Sequence, residues 1–390
     1  MVSTRNCLNH FQTFSSTKIV GPLQNKKVMQ NMKYIESLLK ELSEAHGPSG
    51  FEESVRNIMR RELAQLSDSL STDGIGSLIA AKGVSERKPK VMISAHMDEV
   101  GLMVRYITED GFIKFQTLGG WLDQALIGQR WQIYTTEGPV QGITGIKTPH
   151  VMSAEERNNV FKREGLFIDV GASDKKDAEQ RLKIKPGDPI SPISEAGRLN
   201  KSDNMVGKAW DDRAGLAVML GVMKSISTTT LPISLYAVAT VQEEIGLRGA
   251  HTSSYSVSPD LGINLESGVA GDYPGITEYE AQEKIGHGPA IFLHDSSMLP
   301  NLKLRDMVVE TANNKNIPLQ FNVLSGYGQD GAEMQKVNDG APVVNVTVPT
   351  RYLHSHNSLI NLNDVDHAIE LVSEIIKNLT PQKIDQLRSF

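Results

Sequence analysis

The 390-residue chain has a single cysteine, Cys7. No internal disulfide can form and no thiolate cluster can hold a metal; a reducing, cytoplasm-like compartment fits this usage. No uninterrupted apolar run approaches the length of a membrane span, so no membrane partner is expected. An excess of positive charge is also missing. The formal net charge is −6, which argues against a general nucleic-acid binder. Internal repeats and low-complexity tracts are absent. Residues 1–31 contain no Asp or Glu, but carry Arg5, Lys18, Lys26 and Lys27 among several Ser and Thr. That composition loosely matches an organelle transit peptide, yet it is poor in Arg and lacks the apolar core of a secretory signal. A disordered tail or a misread start is the expectation there, with Met29 and Met32 just ahead of the first strong helix.

From Met32 onward the chain is ordinary globular sequence, long enough for two domains. Met32–His46 places Ile35, Leu38, Leu39 and Leu42 on one helical stripe. Gly47-Pro48-Ser49-Gly50 breaks that helix, and a second is expected over Glu52–Leu66. Short strands come next at Ser77–Ala81 and Val91–Ala95. From Leu102 to about Asn200 the helical period fades, and β-like runs such as Phe112–Phe115, Trp131–Tyr134 and Leu166–Val170 alternate with Gly and Pro turns. The α/β texture resumes near Gly207. A helix is expected over Asp212–Lys224, strands at 233–241, 261–265, 318–324 and 342–348, and helices near Leu302–Asn314, Gly331–Val337 and Val365–Leu379. This alternation implies an α/β fold, with a mainly parallel sheet sandwiched by helices and an inserted all-β domain. The expected organisation is a tail over 1–31, a catalytic part over 32–101, a β-rich insertion over 102–202, and the rest of the catalytic part over 203–390.

Chemistry-bearing side chains gather where such a sheet places ligands, just beyond the carboxyl ends of strands. His96 follows Val91–Ala95, Asp211 opens a helix, Glu243 and Glu244 end the run from Ile233, Glu266 ends Leu261–Leu265, and His354 follows Val343–Val348. Alternation along a strand would send Glu243 and Glu244 to opposite faces, one free to bind a metal and the other to handle protons. Imidazole and carboxylate donors suit Zn²⁺, and Co²⁺ or Mn²⁺ nearly as well. Charge balance supports two ions, because Asp211, Glu244, Glu266 and one bridging hydroxide neutralise two divalent cations in a partly dry cleft. Glu243 is then left to accept the water's proton and deliver it to a leaving amine. Asp98 is placed to hold the second ring nitrogen of His96.

Four segments, in order, resemble metallopeptidase family forty-two, the tetrahedral-aminopeptidase and glutamyl-aminopeptidase group. They are Ala95-His96-Met97-Asp98-Glu99-Val100-Gly101, Ala209-Trp210-Asp211-Asp212-Arg213, Val241-Gln242-Glu243-Glu244-Ile245-Gly246-Leu247-Arg248-Gly249-Ala250, and Arg351-Tyr352-Leu353-His354-Ser355-His356. The resemblance covers about residues 32–380. It implies a fold like that of dinuclear zinc peptidases, with Asp211 bridging two metals. His96 and Glu266 would complete one site, Glu244 and His354 the other, with Glu243 as base and Asp98 behind His96. The family often has Asp where Glu266 stands, and His356 is a second histidine beside the expected ligand. The resemblance further implies that the β-rich insertion dimerises, that dimers build a tetrahedral dodecamer, and that substrates are short peptides able to enter it.

The activity expected is that of a metal-dependent aminopeptidase, in which a hydroxide bridging two divalent metals attacks the first peptide bond. A related dinuclear N-acyl deacylase or carboxypeptidase is the alternative, as is a non-catalytic scaffold on the same fold. A cellulase reading needs two carboxyls flanking a glycosidic bond, which neighbouring Glu243 and Glu244 supply poorly. Gly326-Tyr327-Gly328-Gln329-Asp330-Gly331 is a candidate border of the substrate pocket, or an ordinary strand–helix turn.

Overall fold

The computed structural model describes residues 22–389. Its first helix, Pro22–Glu44, begins ahead of the expected Met32, so residues 22–31 belong to a helix rather than to a tail. The tail or targeting segment expected over residues 1–21 lies outside the described residues. Leu38, Leu39 and Leu42 are buried as their spacing requires. The second helix is Glu53–Leu63, with Val55, Met59 and Leu63 inward.

An eight-stranded sheet organises the molecule. Its spatial order is Ser69–Thr72, Leu78–Lys82, Ser234–Thr240, Lys90–His96, Leu261–Val269, Val343–Thr350, Ala290–Asp295 and Gln320–Leu324. The sheet is mixed rather than mainly parallel: four neighbouring pairs are parallel and three antiparallel. The four strands that carry the candidate ligands or lead into them are the parallel centre. They are buried almost end to end, as strands covered on both faces must be. Leu261–Val269 continues four residues past the expected end at Leu265, so Glu266 sits within the strand. The strand Ala290–Asp295 was not apparent from the sequence, nor were the helices Arg248–Val257 and Pro381–Arg388.

The helix Trp210–Ser225 is buried from Trp210 through Met223. It packs between the sheet and the helix Leu362–Asn378, which explains why it is apolar on all sides. Burying each of its large apolar side chains contributes about 1.5–3 kcal/mol.

The chain leaves the sheet after His96 and enters a closed six-stranded barrel at Gly101. The barrel runs Gly101–Ile107, Ile113–Leu118, Phe167–Asp169, Gly138–Gly145, Arg130–Thr135 and Pro189–Pro192, the last closing on the first. It has its own core of Leu102, Val104, Ile113, Trp131, Ile133, Ile168 and Ile190. Two short helices, Ala154–Asn158 and Lys175–Gln180, interrupt the expected all-β texture. Among the described residues no helix is long and apolar enough to cross a membrane.

Candidate metal centre

Parallel pairing in register brings the first two groups together. Ile93 lies opposite Ile263 and Ser94 opposite Asn264, a register that carries His96 level with Glu266. His96 Nε2 is 3.4 Å from Glu266 Oε1 and 2.9 Å from Asp211 Oδ1. The other oxygen of Asp211 faces away from His96: Oδ2 is 3.3 Å from His354 Nε2. His354 Nε2 in turn lies 3.4 Å from Glu244 Oε1. Two clusters therefore share one aspartate, His96–Asp211–Glu266 and Asp211–Glu244–His354, each with its ligand atoms within 4.8 Å of one another.

The backbone around these groups is strained. Ala209, Gln242, Leu247, Tyr352 and His354 all have φ between 55° and 60°. Left-handed conformations are uncommon for residues other than glycine and persist where surrounding structure enforces them. Gln242 accounts for one departure from expectation. The strand ends at Thr240, and the left-handed turn at Gln242 replaces the alternation that would have sent Glu243 and Glu244 to opposite faces. Both border the same cavity of about 300 Å³, together with Asp211, Glu266 and His354. Glu244 reaches towards His354, whereas Glu243 Oε2 comes within 4.0 Å of His96 Nε2 and belongs to neither cluster.

Asp98 stands at the second ring nitrogen of His96 and also does more. The backbone carbonyl of Asp98, at 3.0 Å, is the closer partner of His96 Nδ1, while its carboxylate oxygen lies 3.5 Å away. The carboxylate mainly gathers the turn that carries the two glutamates. It accepts the Glu243 N–H at 2.9 Å, the Glu244 N–H at 3.1 Å and the Ser49 hydroxyl at 2.6 Å. Asp212, to which sequence reasoning attached no role, is fully buried and accepts the backbone N–H of His96 at 3.2 Å. Asp211 itself does not cap the helix: its carboxylate oxygens face His96 and His354, and it is Asp212 Oδ1 that accepts the backbone N–H of Gly215 at 3.0 Å. Gly119 comes from the other side. Its φ is +78°, and a Cβ there would stand 3.0 Å from Glu244 Oε2, so glycine is required for this approach.

The electrostatics show too much negative charge for the space. Burial pushes Glu266 up to about 8 and Glu244 up to about 7, and it raises Glu243 as well. Burial would depress both histidines, but the surrounding carboxylates outweigh it; His354 is raised to about 10 and His96 also moves up. Asp211 is held down, against its burial, by His354 and His96. Two buried oxygens, Glu244 Oε1 and Glu266 Oε2, have no hydrogen-bond partner among the described residues. Unpaired buried carboxylate oxygens in clusters that also contain imidazole nitrogens are the donor set a divalent cation would satisfy, so the residues present fit metal ions.

His356 stays outside both clusters. Its buried ring packs against Trp131 and Trp121, at centroid distances of 4.4 and 5.7 Å. Tyr327 joins the cavity wall with Gly326 and Gly328, so the glycine-rich segment does border it.

Shared carboxylate, flanking imidazoles and an uncommitted glutamate at the carboxyl edge of a parallel sheet centre define a hydrolytic metalloenzyme type of site. The chain belongs to the M42 glutamyl aminopeptidase family, whose model matches residues 76–371, and is accordingly a peptide hydrolase. A second model, described as AMPT, matches residues 36–59. The chain is 36% identical to the putative aminopeptidase FrvX of Escherichia coli, over 90% of this chain and 98% of that protein. Among solved structures it is similar to the TET aminopeptidase of the marine sediment archaeon Thaumarchaeota archaeon SCGC AB-539-E09. There the TM-score is 0.88 at 39% identity, covering 92% of this chain and 99% of the other. The Pyrococcus horikoshii TET1 peptidase, which can assemble into a tetrahedron or a large octahedral shell, matches with a TM-score of 0.80 at 29% identity, over 88% of this chain and 100% of that one.

Proposed function

We propose that the chain is a dinuclear metal-dependent aminopeptidase that removes the first residue from short peptides. The observation carrying this reading is the divided carboxylate of Asp211, one oxygen 2.9 Å from His96 and the other 3.3 Å from His354. His96, Glu266 and Asp211 would hold one ion, and Asp211, Glu244 and His354 the other. Zn²⁺ and Co²⁺ fit these donors, and Mn²⁺ is a third candidate. When bound, such ions polarise a carbonyl oxygen and make water a nucleophile near neutral pH.

The chain's own residues supply the rest. Glu243 borders the cavity without belonging to either cluster. Its carboxylate accepts the proton of the attacking water and passes it to the departing amine. Asp98 and Ser49 hold the Glu243–Glu244 turn in place. The cavity of about 300 Å³ lies at the small end of ligand pockets, which suits one peptide end rather than a folded protein. By similarity to the TET relatives, we further assign the inserted barrel to dimerisation, with dimers building a tetrahedral dodecamer, and the enzyme to the cytoplasm.

The test is a paired assay after reconstitution with Co²⁺ or Zn²⁺, offering short peptides with free and acetylated N-termini beside a chelator control. Cleavage of the free forms only, abolished by chelator, is expected. Cleavage of the acetylated forms would reassign the activity to an N-acyl deacylase. Glu243→Gln should lower kcat by about 10²–10⁴-fold while retaining the metals; undiminished turnover would remove Glu243 from its role.

A further inference from the structure

We infer that this site, on the aminopeptidase reading, selects peptides whose first residue has an uncharged apolar side chain and discriminates against a first Glu or Asp. Apart from the site's own carboxylates and His354, the cavity wall consists of Gly120, Leu247, Gly326, Tyr327 and Gly328. No lysine or arginine among the described residues lines it. The nearby cations are committed elsewhere. Arg351 forms two hydrogen bonds to Asp272, at 2.8 and 2.6 Å, and Lys208 pairs with Glu99 at 2.6 Å. Arg248 lines a separate cavity with Gln242, Gly246 and Glu333.

A first-residue carboxylate would therefore find no lysine or arginine to pair with, in a wall whose acids, Asp211, Glu243, Glu244 and Glu266, are assigned to the ions and to proton transfer. Burying an unpaired charge is costly. A first Lys or Arg would find acids, but all four are assigned to the ions or to proton transfer. The remaining wall is apolar in character. The Tyr327 hydroxyl commits its proton to the Ser267 carbonyl at 2.7 Å, and its ring stacks on Phe292 with centroids 5.6 Å apart. What Tyr327 offers a substrate is thus a fixed aromatic face. Leu247 packs against the apolar cluster that includes Val238 and Met334.

The experiment uses the assembled, metal-loaded enzyme and tripeptides X-Ala-Ala with X as Leu, Met, Ala, Glu and Lys. We expect kcat/KM for Leu or Met to exceed that for Glu by about 100-fold and that for Lys by about tenfold. Gly326→Lys sharpens the test, because a Cβ there meets nothing within 4 Å and its φ is not positive. This variant should raise the Glu-to-Leu ratio about tenfold. Equal or faster cleavage of the Glu peptide by the parent enzyme would overturn the inference and leave the aminopeptidase reading standing. Calorimetric binding of free L-methionine and L-glutamate reads the pocket without turnover. Tighter methionine binding supports the inference even if no peptide is cleaved, and equal binding or a preference for glutamate overturns it.

Discussion

The two halves of the centre use the same donor chemistry and are held very differently. His96 and Glu266 stand on adjacent parallel strands, and their side chains are 1% and 2% exposed. His354 stands in a left-handed loop conformation with its side chain 32% exposed, and Glu244 lies in the turn beyond a strand. Sheet hydrogen bonds fix the first pair, and loop packing fixes the second. One half is thus set by the sheet's register, whereas the other depends on neighbours such as Gly119 and Asp98.

The most forceful challenge to this contrast is to remove each histidine in turn. His354→Ala should leave one ion per chain, whereas His96→Ala should deplete both; each should lower kcat/KM by about 100-fold or more. Metal analysis during graded chelation checks the order, with the His354 half expected to empty first. Loss in a single step would make the two halves equivalent.

On the buried side, Lys208 pairs with Glu99, the residue after Asp98, with both side chains nearly inaccessible. Lys208→Met leaves that carboxylate undercompensated and should cost about 3 kcal/mol in denaturant unfolding.

Glu283 supports the same side from behind. It takes hydrogen bonds from Asn322 and from Thr347, the register partner of Glu266, and a Cβ on Gly268 would collide with it. Burial raises its pKa from 4.5 to about 7. The folded chain then keeps a proton that the unfolded chain has released, so this group's contribution to stability falls as pH rises between those values. Glu283→Gln should flatten that dependence by up to about 3 kcal/mol. Unfolding curves at pH 5 and pH 8 measure it.

The smallest effect belongs to the loop side. His356→Ala leaves a gap beside the Trp121–Trp131 pair and should cost about 2 kcal/mol. It should also weaken the His354 metal by less than tenfold, with His356→Phe restoring both. Unchanged metal affinity in the alanine variant would detach the barrel contact from the site.

Much of the centre was legible because metal-binding chemistry restricts residue types at strand exits. His96, Asp211, Glu244, Glu266 and His354 were each found from a local pattern, and the structure brings all five together. The departures are non-local. Leu261–Leu265 reads as a short strand closed by Glu266, but pairing with Val343–Thr350 extends that strand to Val269. The antiparallel outer pairs leave no mark on the pattern, because strand direction is decided by connections rather than composition. Asp98 reads only as a partner for His96, and the left-handed turn at Gln242 additionally aims two N–H groups at its carboxylate.

The identity and order of the available side chains are properties of the sequence alone. So is the place where apolar periodicity switches from the sheet-forming part to the barrel, since periodicity and donor type belong to neighbouring residues. Tertiary structure settled the rest: which oxygen of Asp211 faces which histidine, that Glu243 stays outside both clusters, and that the cavity wall carries no lysine or arginine among the described residues. Those outcomes depend on register, loop closure and burial, which arise when segments far apart in the chain compete for the same space.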